Sequence, residues 1–544
     1  MKKFLLPSML MGLLAYPALN VNAQSAMDGF QFSQTDLRGT ARYMSMGGAF
    51  GALGADMSVL SQNPGGIGMY RSSEVGYTLN LDAQSADAQS QQYSFTQNQT
   101  RFYLNNAGFI ATVKSDNSAL RNFNIGFTYN KVASFNRRYK GAVPTLNNSM
   151  SNYVAGVANG EGVTEGDVTT TSTYDPYYPN DGGYEAPWLA ILGYDSYLIT
   201  PDNQDNGTAK WYGQWNTGTS GSGTFEVEEK GSVDEYNIAL GGNINNVFYW
   251  GMDFGIVDFS YSQGSLWGET LNNAYVDGNV TNSQWNLTNA YKVTGSGFNY
   301  KLGFIVKPIQ ELRLGFAFHT PTWYSMTENF IGEVNYDYNS RGSVGYAQTN
   351  NGYVAENEYN FRTPWRFIFS AAGVIEGRMI LSADYEIADY SRMHFSDKYQ
   401  DEYWDWSSMT SYDPYYYTNS DVKNYYKMQQ TFRFGVEFRI TPQFSARAGY
   451  CFVSSPVKQE VKDNREEVYT AGTRTSYIFD NNTNYVACGL GYRSKGFGID
   501  LAYVYKTRES IYHAYPGDVD YMDSPSAKIT NNNSQVVMTM SYKF

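Results

Sequence analysis

The chain has 544 residues, 52 of them Gly and 49 Tyr, with only 3 His, 2 Cys and a formal net charge of -13. The acidic balance argues against a nucleic-acid partner, which needs basic patches, and so few His and Cys leave no disulfide framework and little for a metal centre. The mean hydropathy of -0.47 is that of a polar chain, but a membrane β-barrel has a similar average because alternating strands and polar loops dilute its apolar signal.

Residues 1–23 read as an export signal: Lys2 and Lys3, a mostly apolar run Phe4–Leu19, and Val21-Asn22-Ala23 before Gln24. No Cys follows that point, which speaks against a lipid anchor, and no later run has the about 20 apolar residues a membrane helix needs. Gln24–Leu37 is a polar lead-in. Gly39–Tyr70 is dense in Gly, Ala and Met and matches neither strand nor long helix. Asp56 is placed to cap a short helical turn over Met57–Gln62, and Pro64 to stop it. Residues 24–72 are therefore expected to form a compact plug enclosed by residues 73–544.

From Glu74 the pattern changes to alternation of period two, with Val75, Tyr77, Leu79 and Leu81 on one face and Gly76, Thr78 and Asn80 on the other. Strands are expected near 73–81, 101–114, 121–131, 233–241, 247–262, 291–306, 312–319, 353–374, 378–390, 426–440, 444–456, 484–492, 497–511 and 534–544. In the late strands an aromatic row (Phe432, Phe434, Phe438) opposes a charged one (Arg433, Glu437, Arg439). Lipid on one side and a wet lumen on the other account for both. Every second connection is short (Ser115–Leu120, Gly242–Asn246, Lys307–Glu311, Ile375–Gly377, Thr441–Gln443, Arg493–Gly496), and the others are long and Tyr-rich, the largest about 140–230. The expected fold is all-β: a transmembrane antiparallel barrel of about 14 strands in a Gram-negative-type outer membrane, with both termini periplasmic and a small plug in the lumen. The final strand ends on Phe544, which resembles the signal read by the barrel-assembly machinery. That machinery and outer-membrane lipid are the expected macromolecular and lipid partners.

The plug segment Gly54-Ala55-Asp56 through Asn63-Pro64-Gly65 resembles the N-terminal hatch of the FadL-type transporters, outer-membrane channels for long-chain fatty acids and aromatic hydrocarbons. Their hatch carries an Asn-Pro-Ala element before the first strand; Asn63 and Pro64 match it, and Gly65 stands where Ala is usual. The resemblance implies passive uptake of small hydrophobic compounds, without a cofactor. Gly54, Asp56, Asn63, Pro64 and Gly65 would then hold the gating hatch, and Gln24–Leu37 would move on ligand release. It also implies a sideways exit at a kinked third strand. Here Arg121–Lys131 carries Phe123, Ile125, Phe127 and Tyr129 unbroken on one face, and no Pro or Gly cluster fixes a kink.

Other chemistry is sparse. His319, His394 and His513 are far apart with no Ser-centred motif beside them, so no catalytic or metal-binding residues are assigned. Cys451 and Cys488 fall on opposite faces of neighbouring strands and are expected to be free thiols. Asp401, Glu402, Asp405 and Asp413 lack the spacing of a calcium loop. The Ser396–Asp421 loop holds Tyr403, Trp404, Trp406, Tyr415 and Tyr416, a candidate landing surface for a hydrophobic ligand, with self-packing as the other use of the same rings. A second Asp-Pro-Tyr-Tyr lies at Asp175–Tyr178. Lumen charges such as Arg447, Asp500 and Lys506 are expected to pair across strands and hold the plug. The alternative function is a surface-binding or adhesive outer-membrane protein acting through its long loops.

Overall fold

The computed structural model describes residues 24–115, 119–179, 184–202, 210–338, 343–398, 413–463, 465–517 and 524–544. Its antiparallel sheet closes on itself, because the first strand pairs with both the second and the last, Glu74 opposite Lys543 and Ile110. The first three strands are Glu74–Ser90, Tyr93–Lys114 and Leu120–Ser134, the third resuming as Arg137–Val143. Ser220–Ile244, Phe248–Val276 and Asn279–Val306 follow. The seventh is split into Leu312–His319 and Trp323–Tyr338. The eighth is split into Ser343–Gln348, Ala355–Arg362 and Arg366–Ile375, and the ninth into Met379–Asp389 and His394–Asp397. Met428–Arg439, Phe444–Val453, Tyr477–Ser494, Phe497–His513 and Ser526–Lys543 complete a 14-strand barrel. The break in the seventh strand and the second break in the eighth fall at Pro321 and Pro364, which have no N–H for a ladder, and the first break in the eighth holds the 3-10 turn Thr349–Gly352.

Outward residues of the wall are apolar and exposed, among them Phe109, Phe127, Ile238, Ile256, Phe304 and Leu490. Inward residues are polar and buried, among them Asn80, Asn124, Asp253 and Asp384. Inward charges pair across strands: Lys301 Nζ lies 2.6 Å from Glu235 and 3.1 Å from Asp253, and Arg447 bridges Glu437 (2.6 Å) and Asp500 (2.7 Å). Cys451 is buried and Cys488 exposed, and both are free.

Several strands run far past their apolar part. The first two continue to a tight turn at Gln91-Gln92, and the fourth begins at Ser220 instead of near 233. Beyond the membrane the outward face meets water, so the alternation that marks a spanning strand is lost while the ladder continues. The longest connection holds helices Met150–Gly160 and Trp188–Asp195 and a hairpin of Ile199–Asp202 with Lys210–Gly213. Val154, Leu192 and Trp211 of this connection join Phe225, Trp267 and Tyr512 of the strand extensions in one apolar core above the lumen.

Candidate functional site: a filled lumen with an aromatic niche

The segment Gly39–Tyr70 fills the lumen nearest the short turns. Asp56 caps the 3-10 helix Met57–Ser61, accepting from Ser58 N (3.0 Å) and from Thr40 Oγ1 (2.8 Å). Pro64 stops that turn and also opens the next, Pro64–Met69, with Asn63 at its N-cap. The Asn63 side chain accepts from Gly65 N (3.0 Å) and donates to Gly51 O (2.6 Å) and Phe304 O (3.3 Å). Gly54 has φ +65, a conformation that favours glycine. At Gly65 a Cβ would come within 2.8 Å of the Gly303 carbonyl, and at Gly251 it would overlap the Pro64 carbonyl. The Asn63-Pro64-Gly65 turn thus lies backbone-to-backbone on two wall glycines that only the fold brings there. Elsewhere the wall reaches in. Asp384 accepts from Phe50 N, Gly51 N and Gln62 Nε2, each at 3.0 Å, and Asn124 and Asn122 donate to Ile67 O and Tyr70 O, each at 2.6 Å. Arg42 clasps Glu437 at 2.9 and 3.3 Å. His319 Nε2 lies 2.7 Å from Gln62 O. At about 0.5–1.5 kcal/mol net per bond, this set holds the segment firmly.

The lead-in is held differently. Ala26–Phe32 is a seven-residue helix, too short to be stable alone, and packing fixes it. Phe30 lies 5.6 Å from the Tyr390 ring and 5.7 Å from Tyr426, and Phe32 lies 5.0 Å from Phe259 and 5.9 Å from Phe361. Tyr261, Tyr291, Tyr324, Tyr359 and Phe395 extend the same buried cluster. Within a mostly polar lumen this is an aromatic niche, occupied by the protein's own N-terminal phenyl groups. Arg474 clasps Asp28 at 2.9 and 3.0 Å beside it.

The same segment also touches a break in the wall. The second and third strands pair only from Lys114 opposite Asn122 to Asn106 opposite Asn130. Past Asn130 the third strand bulges at Val132 and stays bonded to the fourth strand alone. The unbroken third strand expected from Arg121–Lys131 therefore ends in a kink immediately after it. The glycine that accommodates the kink lies on the partner strand: Gly231 has φ +131 and its carbonyl accepts from Phe135 N (3.0 Å). Among the described residues, side chains cross the gap, with Tyr103 Oη accepting from Asn136 Nδ2 (2.9 Å) and Ser134 Oγ (3.3 Å). Asp36 closes it from within: its N–H donates to Val132 O (3.0 Å) and its carboxylate accepts from Ser134 N (3.3 Å).

The candidate landing residues separate. Tyr403, Trp404 and Trp406 lie outside the described residues. Tyr416 is exposed, but Tyr415, expected beside it at the surface, is buried in the niche against Tyr359 and Phe395. The cause is local: the Asp413 carboxylate accepts from Tyr415 N (2.9 Å), forming an Asx turn that aims the first tyrosine inward. Asp175 does the same to Tyr177 (3.0 Å), which is buried against Trp188.

Residues 232–544 match the family model described as outer membrane protein transport protein (OMPP1/FadL/TodX). The chain belongs to this family. Among solved structures it is similar to a Pseudomonas aeruginosa FadL homologue, at 12% identity and a TM-score of 0.52, with 94% of this chain and 100% of that one covered. The P. putida toluene transporter TodX and the Ralstonia pickettii toluene transporter TbuX each match at 12% identity and a TM-score of 0.47, covering 94% of this chain and 99% of theirs. No curated protein matches the sequence. The expected FadL-type resemblance and barrel are thereby met, and the family places the chain in the outer membrane as a transport protein. Sequence reasoning missed the wall glycines Gly251 and Gly303, the carboxylate Asp384 and the niche rings, because each acts on a segment hundreds of positions away.

Proposed function

We propose that this family member is a channel for passive uptake of small hydrophobic compounds of the fatty-acid or aromatic-hydrocarbon class, gated by residues 24–37. The observation that carries this reading is that one short segment fills the aromatic niche with Phe30 and Phe32 and closes the strand 2–strand 3 gap with Asp36. A ligand that takes the niche displaces that segment, and the same displacement uncovers the gap as a sideways exit into the bilayer. Gly54, Asp56, Asn63, Pro64 and Gly65 hold the static part of the plug, which keeps water and ions out. Exposed Tyr416, with Tyr403, Trp404 and Trp406, serves as the landing surface. The short turns and both termini face the periplasm, outer-membrane lipid covers the apolar belt, and Phe544 is presented to the assembly machinery. The test is uptake of a labelled long-chain fatty acid and of toluene by cells lacking other hydrophobic channels. Expression of this chain is expected to raise uptake of at least one, and uptake of neither would refute the proposal.

A further inference from the structure

A second cavity opens on the other side of the plug, at the mouth formed by the short turns. It measures about 210 Å³ and lies between Thr40, Asp56 and Met57 of the plug and the ends of the first and the tenth to fourteenth strands. Its carboxylates are already engaged. Glu437 accepts from Arg42 (2.9 Å) and Arg447 (2.6 Å), and Asp500 from Arg447 (2.7 Å) and Arg493 (2.5 Å). Asp56 accepts from Thr40 and Ser58, and Glu74 lies 3.5 Å from Lys543. Five cations thus line the cavity against four carboxylates, and the fifth, Arg439, is exposed and forms no ion pair among the described residues. Its neighbour adds to the imbalance. Arg378, likewise exposed and without an ion pair among the described residues, stands opposite Arg439, one position beyond the Met379–Phe438 pair. The two are joined through the backbone, Arg439 N donating to Arg378 O (2.8 Å). Like charges facing each other across a ladder repel. The same end carries Arg71, Lys114, Lys307 and Arg313 against Glu311 and Glu376, whereas the chain as a whole has a net charge of -13.

We propose that this vestibule is an oxyanion site, which takes one phosphate or carboxylate group of a soluble molecule at the short-turn mouth. An anion between Arg439 and Arg378 supplies the counter-charge that the wall lacks there, and each guanidinium offers it a fork of N–H donors. Ser445 and Gln443 line the same cavity and add neutral donors, and Lys543 adds a further charge. The cavity is smaller than the roughly 300 Å³ at which ligand pockets begin, so it holds the anionic group while the remainder of the molecule stays in water. Arg439 lies two positions from Glu437 on the same lumen-facing side of the tenth strand, and Arg378 lies across from it. The source is therefore a soluble anion and not the headgroup of a lipid packed on the outer face. The excess positive charge at this mouth draws anions from a distance, more weakly as salt rises. The site stands apart from the uptake reading and takes from it only that the short turns face the periplasm.

The test is calorimetric titration of inorganic phosphate and of succinate into the full chain in amphipol, in a buffer free of other multivalent anions. At least one of the two is expected to bind at a single saturable site and to weaken as potassium chloride is added. Arg439→Gln and Arg378→Gln should each weaken that anion by about tenfold, and Ser445→Ala by about threefold, as for loss of a charged and of a neutral donor. Both arginines are exposed and unpaired, so their replacement leaves the fold intact. Lys528→Gln, which removes an exposed cation at the opposite end of the barrel, should change nothing. Repeating the titration in nanodiscs of phosphatidylethanolamine, with and without phosphatidylglycerol, separates the sources. Equal affinity in both supports a soluble anion, and loss of binding with phosphatidylglycerol assigns the site to a lipid headgroup and overturns the proposal. Absence of saturable heat for both anions overturns it too, as does an affinity that neither arginine variant changes. None of these results bears on the uptake measurement, which tests the channel reading by itself.

Discussion

Asn63 makes three hydrogen bonds that no other side chain at that position reproduces. Its amide joins the turn at Gly51, the strand at Phe304 and its own N-cap at Gly65. Asn63→Ala leaves buried partners unsatisfied and should lower stability by about 1–3 kcal/mol, read as a lower melting temperature of the detergent-solubilised barrel. Asn63→Asp, which sets a buried carboxylate oxygen against the Gly51 and Phe304 carbonyls, should cost at least as much. Glu269 gives a pH-dependent case. The outward apolar row of its strand ends at Ile256, with exposed Asp258 next, so Glu269 lies beyond the membrane. Burial pushes its carboxyl up to about 7 from the ordinary 4.5, against donors at Met150 N, Ser149 Oγ and Trp267 Nε1. The folded state therefore holds the proton more tightly than the unfolded one. Its contribution is fully present below pH 4.5 and is lost as pH rises towards 7, by at most about 3 kcal/mol at 1.36 kcal/mol per unit. Protease resistance of the dome helix Met150–Gly160 should fall over that window, and Glu269→Gln should flatten the profile.

At the scale of elements, the plug turn and the wall are fitted through missing side chains. Gly303→Ala would press a methyl into Asn63 and the Gly65 N–H, and Gly251→Ala one into the Pro64 carbonyl. Both are expected to fold as barrels and to show ion conductance in planar bilayers raised above that of the wild type, for which a nearly closed lumen is expected. Unchanged conductance in both would show that the turn is not what seals the lumen. These contacts also mark where sequence reading ends. The spanning parts of the strands were legible because lipid and lumen impose period-two alternation. Asp56 and Pro64 were legible because caps and breaks are local chemistry. The strand extensions were not, since Asp82–Ser90 has no lipid-facing row to betray it. The kink of strand three was not either, because its permissive residue, Gly231, belongs to strand four. Tyr415 looked like an exposed ring because the Asx turn that buries it is a matter of three-dimensional direction.

At the scale of the whole molecule, the lumen holds two plugs of unlike character. Residues 39–70 are tied to the wall by hydrogen bonds around most of the barrel. Residues 24–37 are held by a short helix, two phenyl groups worth about 1.5–3 kcal/mol each by burial, ion pairs from Asp28 and Asp36 to Arg474 and Lys506, and wall hydrogen bonds gathered at Ser33, Gln34 and Asp36. Deleting residues 24–37 should therefore raise permeation of hydrophobic compounds and leave ion conductance low. The most direct test of this division is hydrogen exchange, followed by mass spectrometry, on the reconstituted protein with and without a saturating hydrophobic ligand. The account predicts that amides of residues 26–36 lose protection when ligand is bound while those of residues 41–69 do not change. Loss of protection within 41–69, or none within 26–36 at saturation, would contradict it.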